Sequence, residues 1–431
     1  MCDMPVETID TVVVGGGQAG IAMSEHLGRA NVPHLVLERA RIAERWRSER
    51  WDSLVTNGPA WHDRFPGAHF PGGPEDFVPK ETVADYFVDY AHQIAAPMRC
   101  GVEVRKVSKQ PGQRGFRVET SHGDYSALNV VAATGPFQKP VVPHLIEAGA
   151  PVLQLHSNGY RNPEALPEGA VLVVGAGSSG VQIADELNRA GRKVYLSVGP
   201  HDRPPRAYRG RDFVWWLGVL GLWDLATPPE GAEHVTIAVS GAQGGETVDF
   251  RRLANEGVTL LGRTVSYADG ALGFLDNVAQ MVNAGDANYL ALLDAADAYV
   301  ARNGLDLPEE PQARVIRPDP DCLTNPITTL DLAGAGIGSV IWATGYVQDY
   351  GWLDVPTFDA AGKPLHRRGV SEEPGIYFLG LPWQSRRGSS FIWGVWHDAR
   401  HVADQIAIRQ AYFDYHASAD ADAQTSAAAQ A

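Results

Sequence analysis

The sequence predicts an α/β protein built from two doubly wound parallel-sheet units, the second inserted in the first. Three observations carry that expectation. An apolar run from Ile9 to Val14 breaks into Gly15-x-Gly17-x-x-Gly20, and a helix-forming segment follows from Ala19 to Ala30. The same grammar returns 160 residues later: Val171 to Val174, then Gly175-x-Gly177-x-x-Gly180, then a helix over Val181 to Ala190. Two further apolar runs, Ala127 to Ala133 and Val340 to Ala343, each end in Ala-Thr-Gly, namely Ala133-Thr134-Gly135 and Ala343-Thr344-Gly345.

In the first unit each glycine has a physical task. Gly15 permits a tight turn, Gly17 lets the backbone approach a pyrophosphate, and Gly20 lets helix and strand pack closely. The helix that opens at Gln18 and Ala19 points its positive end at the phosphates. A second apolar run, Leu35 to Leu37, ends in Glu38-Arg39, which places a carboxylate to accept hydrogen bonds from a ribose. A glycine-rich turn of no function leaves Glu38 unexplained. The loop that follows, with Trp46 and Asn57, is expected to lie over the cofactor. Asp85 to Ala96 reads as an amphipathic helix, and Val102 to Val107 with Phe116 to Thr120 as antiparallel strands.

The second unit repeats the turn, with Ser178 and Ser179 opening its helix, but differs after the next strand. Aligned with a one-residue gap, Ser197 stands where Glu38 stands, and Arg203, Arg206 and Arg209 follow. A carboxylate repels a 2′-phosphate, a serine does not, and a guanidinium is its usual partner. The reading is therefore two Rossmann-like dinucleotide-binding domains, FAD in the first and NADPH, favoured over NADH, in the second. The expected boundaries are 1–165 and 331–416 for the FAD domain and 166–330 for the NADPH domain. An irregular elaboration is expected over about 212–311, with a helix at Asn288 to Asn303, and a small, polar, disordered tail over 417–431. A short buried strand ends at Gly380, and a helix follows from Gly394.

Composition narrows the function. A net charge of −15 over 431 residues argues against nucleic acid and anionic membrane surfaces. The cysteines, Cys2, Cys100 and Cys322, are isolated, so no dithiol relay and no cysteine zinc site is expected. No apolar run approaches the eighteen residues of a spanning helix, and the first ten residues lack the apolar core of a signal peptide, so a cytoplasmic protein is expected. No metal is expected.

These residues resemble the class B flavin-dependent monooxygenases, the group of flavin-containing monooxygenases and their Baeyer–Villiger relatives. The likeness covers roughly 8–200 and 330–412. It rests on both glycine turns, Glu38, both Ala-Thr-Gly segments and the continuation Gly135-Pro136-Phe137-Gln138-Lys139-Pro140. Of the family's identifying motif, His156 and Tyr160 keep the second half, while Ala150 and Val152 replace its Phe and Gly; Tyr160 leans away from the Baeyer–Villiger branch. The resemblance implies that NADPH reduces FAD, that a flavin peroxide forms with O2, and that one oxygen passes to a small organic substrate, by S- or N-oxygenation or hydroxylation. It gives Asn57 a hydrogen bond to the oxygen adduct. His156 and Tyr160 hold the linker near NADPH, a packed structural histidine being the equal alternative. Gly380 meets the flavin ring. Members of that family often form homodimers, and the sequence leaves the oligomeric state open.

Two other readings stay open at this point. One is a flavin-dependent NAD(P)H reductase or dehydrogenase that passes electrons to a quinone or protein acceptor. The other is a non-catalytic redox sensor that binds both nucleotides. Substrate identity and the atom oxygenated are not legible.

Overall fold

The computed structural model describes residues 6–226 and 236–428. Its first sheet is organised around β1 (Glu7–Val14). Side chains alternate across a strand, so Val13 enters one apolar core while Val12 and Val14 enter another on the opposite face. Helix α1 (Gln18–Arg29) covers one face, and β2 (His34–Glu38) pairs parallel to β1. After a short helix α2 (Glu44–Ser48) and α3 (Lys80–Gln93), β3 (Met98–Cys100) extends the sheet beyond β2. An antiparallel meander, β4 (Val104–Lys109), β5 (Phe116–Thr120) and β6 (Gly123–Ala132), closes back so that β6 lies parallel to β1. Late in the chain Ile376–Phe378 returns parallel to β6, and the C-terminal helix Ile392–Ala428 packs its start into the same core as α1.

The chain crosses to the second unit at β7 (Lys139–Pro140) and returns at Tyr346–Val347, and these two crossings pair antiparallel. The second sheet is wholly parallel. It holds β8 (Leu153–His156), β9 (Ala170–Val174) and, after α4 (Ser178–Arg189), β10 (Val194–Ser197). The strands Thr259–Leu261 and Ile337–Trp342 complete it, in the order Thr259–Leu261, β10, β9, Ile337–Trp342, β8. As in β1, alternate residues of β9 feed two cores, Val171 and Val173 one, Leu172 and Val174 the other.

The strands move the expected boundaries. Leu153–His156 and Ile337–Trp342 belong to the second sheet, so the crossings lie near 140 and 346 rather than at 165 and 331. Ile337–Trp342 echoes the strand before Ala133 because each lies parallel beside the strand that leads into its own glycine turn. Within the elaboration, the helix Phe250–Asn255 and the strand Thr259–Leu261 form an unanticipated helix–strand step. Elements of six and three residues are too short to show a period. The helix expected from Asn288 starts ten residues earlier, spanning Val278–Asn303. Its inward face carries Gly285, where a Cβ would lie 2.4 Å from His201 Nε2, and Asp286, which pairs with two arginines, so packing demands hid the apolar stripe. The expected disordered tail is helical through Ala428, in keeping with the alanine content; 429–431 lie outside the described residues.

Candidate functional site

The two glycine turns share one geometry. Gly15 has φ +116° and Gly175 has φ +113°, conformations that favour glycine. A Cβ on Gly15 would lie 2.6 Å from the Ala133 carbonyl oxygen, and one on Gly175 would lie 2.4 Å from that of Ala343. Each turn is thus pressed onto its own Ala-Thr-Gly segment. Gly20 and Gly180 sit so close to the start of their turns that a Cβ would fall 1.8 Å from the Gly15 and Gly175 carbonyl oxygens. A Cβ on Gly17, by contrast, would meet nothing within 4 Å, which is the open approach a pyrophosphate requires. Gly135 and Gly345 turn at φ +72° and +82°.

Around the first turn, Glu38 accepts from the Gly16 N–H at 2.6 Å and the Ala40 N–H at 2.9 Å, so its carboxylate is held at the rim of the turn. Ala43 N–H donates to the Gly16 carbonyl, which carries α2 over the turn, and Trp46 packs between the cores of both units. Arg39 is exposed. Gln18 donates its side-chain amide to the Ser390 carbonyl at 2.9 Å, and a Cβ on Gly380 would approach the Ala19 Cβ to 3.1 Å. The loop before the C-terminal helix is therefore fastened to the first turn. Thr134 accepts from Gln138, whose amide oxygen receives the Asp349 N–H and ties the two crossings together.

The second turn departs from the sequence reading in three places. Val14 pairs with Leu37 and Val174 with Ser197, so Ser197 takes the place of Leu37 and Val198 takes the place of Glu38. The single-residue gap misplaced Ser197, whose buried hydroxyl donates to the Gly262 carbonyl. Arg203 is buried, shares Asp286 with Arg251 and lies over the Tyr289 ring. Arg206 is buried too. It makes two 2.6 Å bonds to Asp212, is sandwiched between Phe77 and Phe213, and donates to the Asn57 and Ser240 carbonyls. Neither guanidinium stands open to a 2′-phosphate; a charge buried at that depth requires its own partner. Ser178 turns its hydroxyl to the Ile237 carbonyl. Ser179 is half-buried at the helix start. Thr344 donates to the Val141 carbonyl.

Asn57 lies where the units meet. Gln182 on α4 donates to Asn57 Oδ1 at 2.9 Å and to the Val239 carbonyl at 2.6 Å. A carbonyl only accepts, so the Gln182 orientation is fixed, and with it that of Asn57. The Asn57 Nδ2 is then the end left to donate. Sequence reasoning missed Gln182, a polar residue on an otherwise buried helix face. His156 is buried; its Nε2 lies 3.0 Å from the Gly345 carbonyl, and its Nδ1 accepts from the Asn158 N–H. Burial pushes its pKa below the usual histidine value, and an Nδ1 that accepts an N–H is the unprotonated nitrogen of a neutral ring. Tyr160 donates to Glu186 on α4 at 2.9 Å. Burial raises both the phenol and the carboxyl. His156 and Tyr160 therefore brace the crossing against the second unit.

Nearby, the His62 ring lies 4.8 Å from Trp393 and 5.7 Å from Trp223, and its Nδ1 is 2.7 Å from Asp63. His62, Trp223 and Trp393 are distant in sequence and meet only in the fold. A cavity of about 730 Å³ opens between α4 and residues 71–82, with Gln182 and Trp51 in its wall. Among the described residues no cluster of His, Cys, Asp and Glu suits a metal, and no helix is long and apolar enough to cross a membrane.

Residues 12–208 match the family described as pyridine nucleotide-disulphide oxidoreductase. An uncharacterized CzcO-like oxidoreductase of Geobacillus kaustophilus is 35% identical over 92% of this chain and 98% of its own. A probable indole-3-pyruvate monooxygenase of Arabidopsis thaliana, YUCCA4, is 29% identical over 43% of this chain and 46% of its own. Among solved structures, a flavin-containing monooxygenase from Stenotrophomonas maltophilia superposes with a TM-score of 0.65 at 19% identity, over 94% of this chain and 99% of that one. At that identity the superposition shows the fold.

Proposed function

The chain belongs to the CzcO-like oxidoreductases, built like the class B flavin-dependent monooxygenases, and from that premise we propose that it is an FAD-dependent NADPH:O2 monooxygenase acting on a small organic substrate. S- or N-oxygenation or hydroxylation is favoured over Baeyer–Villiger insertion. The observation that carries the reading is the pair of matched glycine turns with Asn57 held between their units. The residues of the first turn fit a dinucleotide: Gly17 leaves room for a pyrophosphate, and Glu38 sits at the strand end where a ribose is read. FAD is assigned to the first turn and NADPH to the second.

When bound, the two cofactors supply hydride transfer and the reaction with dioxygen. The chain supplies positioning. Glu38 accepts from ribose hydroxyls, and Gly15, Gly17, Gly175 and Gly177 give the phosphates backbone access. Gln182 holds the Asn57 oxygen, so the Asn57 amide presents N–H donors to the junction of the units. His156, bonded to Gly345, keeps the crossing in register. The aromatic group of His62, Trp223 and Trp393 excludes water near the Gln18–Ser390 contact.

Purified protein should be yellow. With NADPH and a thioether such as methyl phenyl sulfide it should consume oxygen and place one atom of labelled dioxygen in the product. Asn57→Ala should divert turnover to hydrogen peroxide. A colourless protein, or wild-type turnover yielding peroxide alone, defeats the reading. The matched family's disulphide oxidoreductase description favours a second reading, a reductase serving another acceptor. Cys100 and Cys322 are free and unpaired, which leaves that reading without a dithiol on this chain's described residues. Turnover with an artificial quinone under nitrogen, matching the aerobic rate, would favour it.

A further inference from the structure

With Arg203 and Arg206 buried in their own ion pairs, the second unit needs another cation if it is to recognise a 2′-phosphate. We propose that Arg263 is that cation and selects NADPH over NADH, an inference that rests on the second turn taking a pyridine nucleotide. Arg263 follows Thr259–Leu261, the strand beside β10, and the Val198 N–H donates to the Leu261 carbonyl across that pair at 2.9 Å. The acid that reads a ribose in such folds stands at the end of the second strand, the place Val198 occupies here. Arg263 therefore lies next to the edge where the 2′ substituent arrives.

Its backbone is pinned from several sides. The Ser197 hydroxyl donates to the Gly262 carbonyl at 2.9 Å and accepts from the Thr264 N–H at 3.2 Å and the Thr264 hydroxyl at 2.9 Å. Arg263 itself donates its N–H to Asn277 Oδ1 and accepts from the Leu275 N–H. Ser197 thus acts through this turn as a positioning residue rather than on the nucleotide. The Arg263 side chain is exposed and has no carboxylate partner among the described residues, whereas Arg203, Arg206, Arg209 and Arg251 each hold one. At Gly199, two residues beyond Ser197, a Cβ would meet nothing within 4 Å, so the space beside Val198 is open. A fixed turn, an uncommitted guanidinium and an open ribose edge are the elements of phosphate discrimination.

The test uses the full-length, FAD-loaded protein and calorimetric titration with NADP+, NAD+, 2′,5′-ADP and 5′-AMP. Arg263→Ala should weaken NADP+ and 2′,5′-ADP on the order of tenfold and move NAD+ and AMP by less than about twofold. Arg263→Lys should restore part of the loss, and Arg263→Glu should exceed it. Gly199→Glu, placed in open space, should reject the 2′-phosphate independently. Equal weakening of both nucleotide pairs by Arg263→Ala, or no change in either, overturns the assignment. Wild-type protein that binds neither NADP+ nor NAD+ defeats the reading of the second turn and this inference with it. Tight NADP+ binding that is indifferent to Arg263 defeats the inference alone.

Discussion

The two units are the same device carrying different side chains. Both glycine turns have left-handed openings within 3° of one another, both press on an Ala-Thr-Gly carbonyl, and both helices carry the third glycine's close contact in their first turn. They part company at the end of the strand that follows, one residue past the Val14–Leu37 and Val174–Ser197 pairs, where the first has Glu38 and the second Val198. Backbone demands are set by sterics and recur; ligand choice resides in side chains at strand ends and differs. The helices repeat the lesson. Glu25, His26 and Arg29 of α1 stand where Asp185, Glu186 and Arg189 stand in α4, counted from the third glycine.

The severest break of this likeness is at the third glycine. Gly20→Ala and Gly180→Ala each place a methyl 1.8 Å from a backbone oxygen, which only a shift of helix against strand relieves. Each should cost about 4 kcal/mol, read as lowered midpoints in urea unfolding, because such overpacking lies at the upper end of single-site effects. Equal geometry requires near-equal losses; tolerance at one turn alone would show that the units are not equivalent.

Arg206 comes next, and it separates structure from selectivity. Arg206→Met leaves Asp212 without its buried partner and should destabilise by about 3 kcal/mol, as broken buried pairs do. Affinity for NADP+ and NAD+ should fall together. A loss confined to NADP+ would reinstate Arg206 as a phosphate ligand.

Helix-face chemistry gives a pH-dependent contrast. His26 is buried against Trp396, and burial, then Arg29 and Arg400, hold its pKa down to about 4. Between 6.5 and about 4 the unfolded chain carries the extra proton, so stability present above pH 6.5 is lost as the pH falls. At pH 5 the loss should be about 2 kcal/mol, from 1.36 kcal/mol per unit. Glu186, at the matching place in α4, has its pKa raised by burial, and its stability contribution is lost as pH rises through the folded value, the opposite sign. Unfolding at pH 7 and 5, followed by flavin release, should show acid loosening of the first unit, and His26→Leu should remove it.

Much of this was legible because the turns are local. Strand, three glycines and helix occupy about twenty consecutive residues, and sterics alone dictate them. Glu38 was legible for the same reason. The Ser197 alignment failed because a one-residue gap flips a strand's faces, and only the ladder between β9 and β10 fixes the register. Arg203 misled because its partner, Asp286, enters by tertiary packing from 83 residues away, and Arg206 because Asp212, six residues on, folds back onto it where Ala207 and Asp212 pair antiparallel. Gln182, Trp223 and Arg263 acquire their places only when the sheets are assembled.

The smallest expected effect tests the difference between the units most directly. Glu38→Gln keeps the size of the side chain but turns one oxygen, which accepts from Gly16 or Ala40, into a donor. The turn itself should survive, since Gly15 N–H still donates to the Leu37 carbonyl and the helix contact at Gly20 is untouched. Besides that one backbone bond, the nucleotide loses one charge-assisted bond from a ribose hydroxyl, about 1.4 kcal/mol or tenfold in FAD affinity. NADP+ affinity of the FAD-saturated protein should not move, because Val198 already lacks the group. If Glu38→Gln weakened NADP+ as much as FAD, strand-end side chains would not divide the work between the two nucleotides.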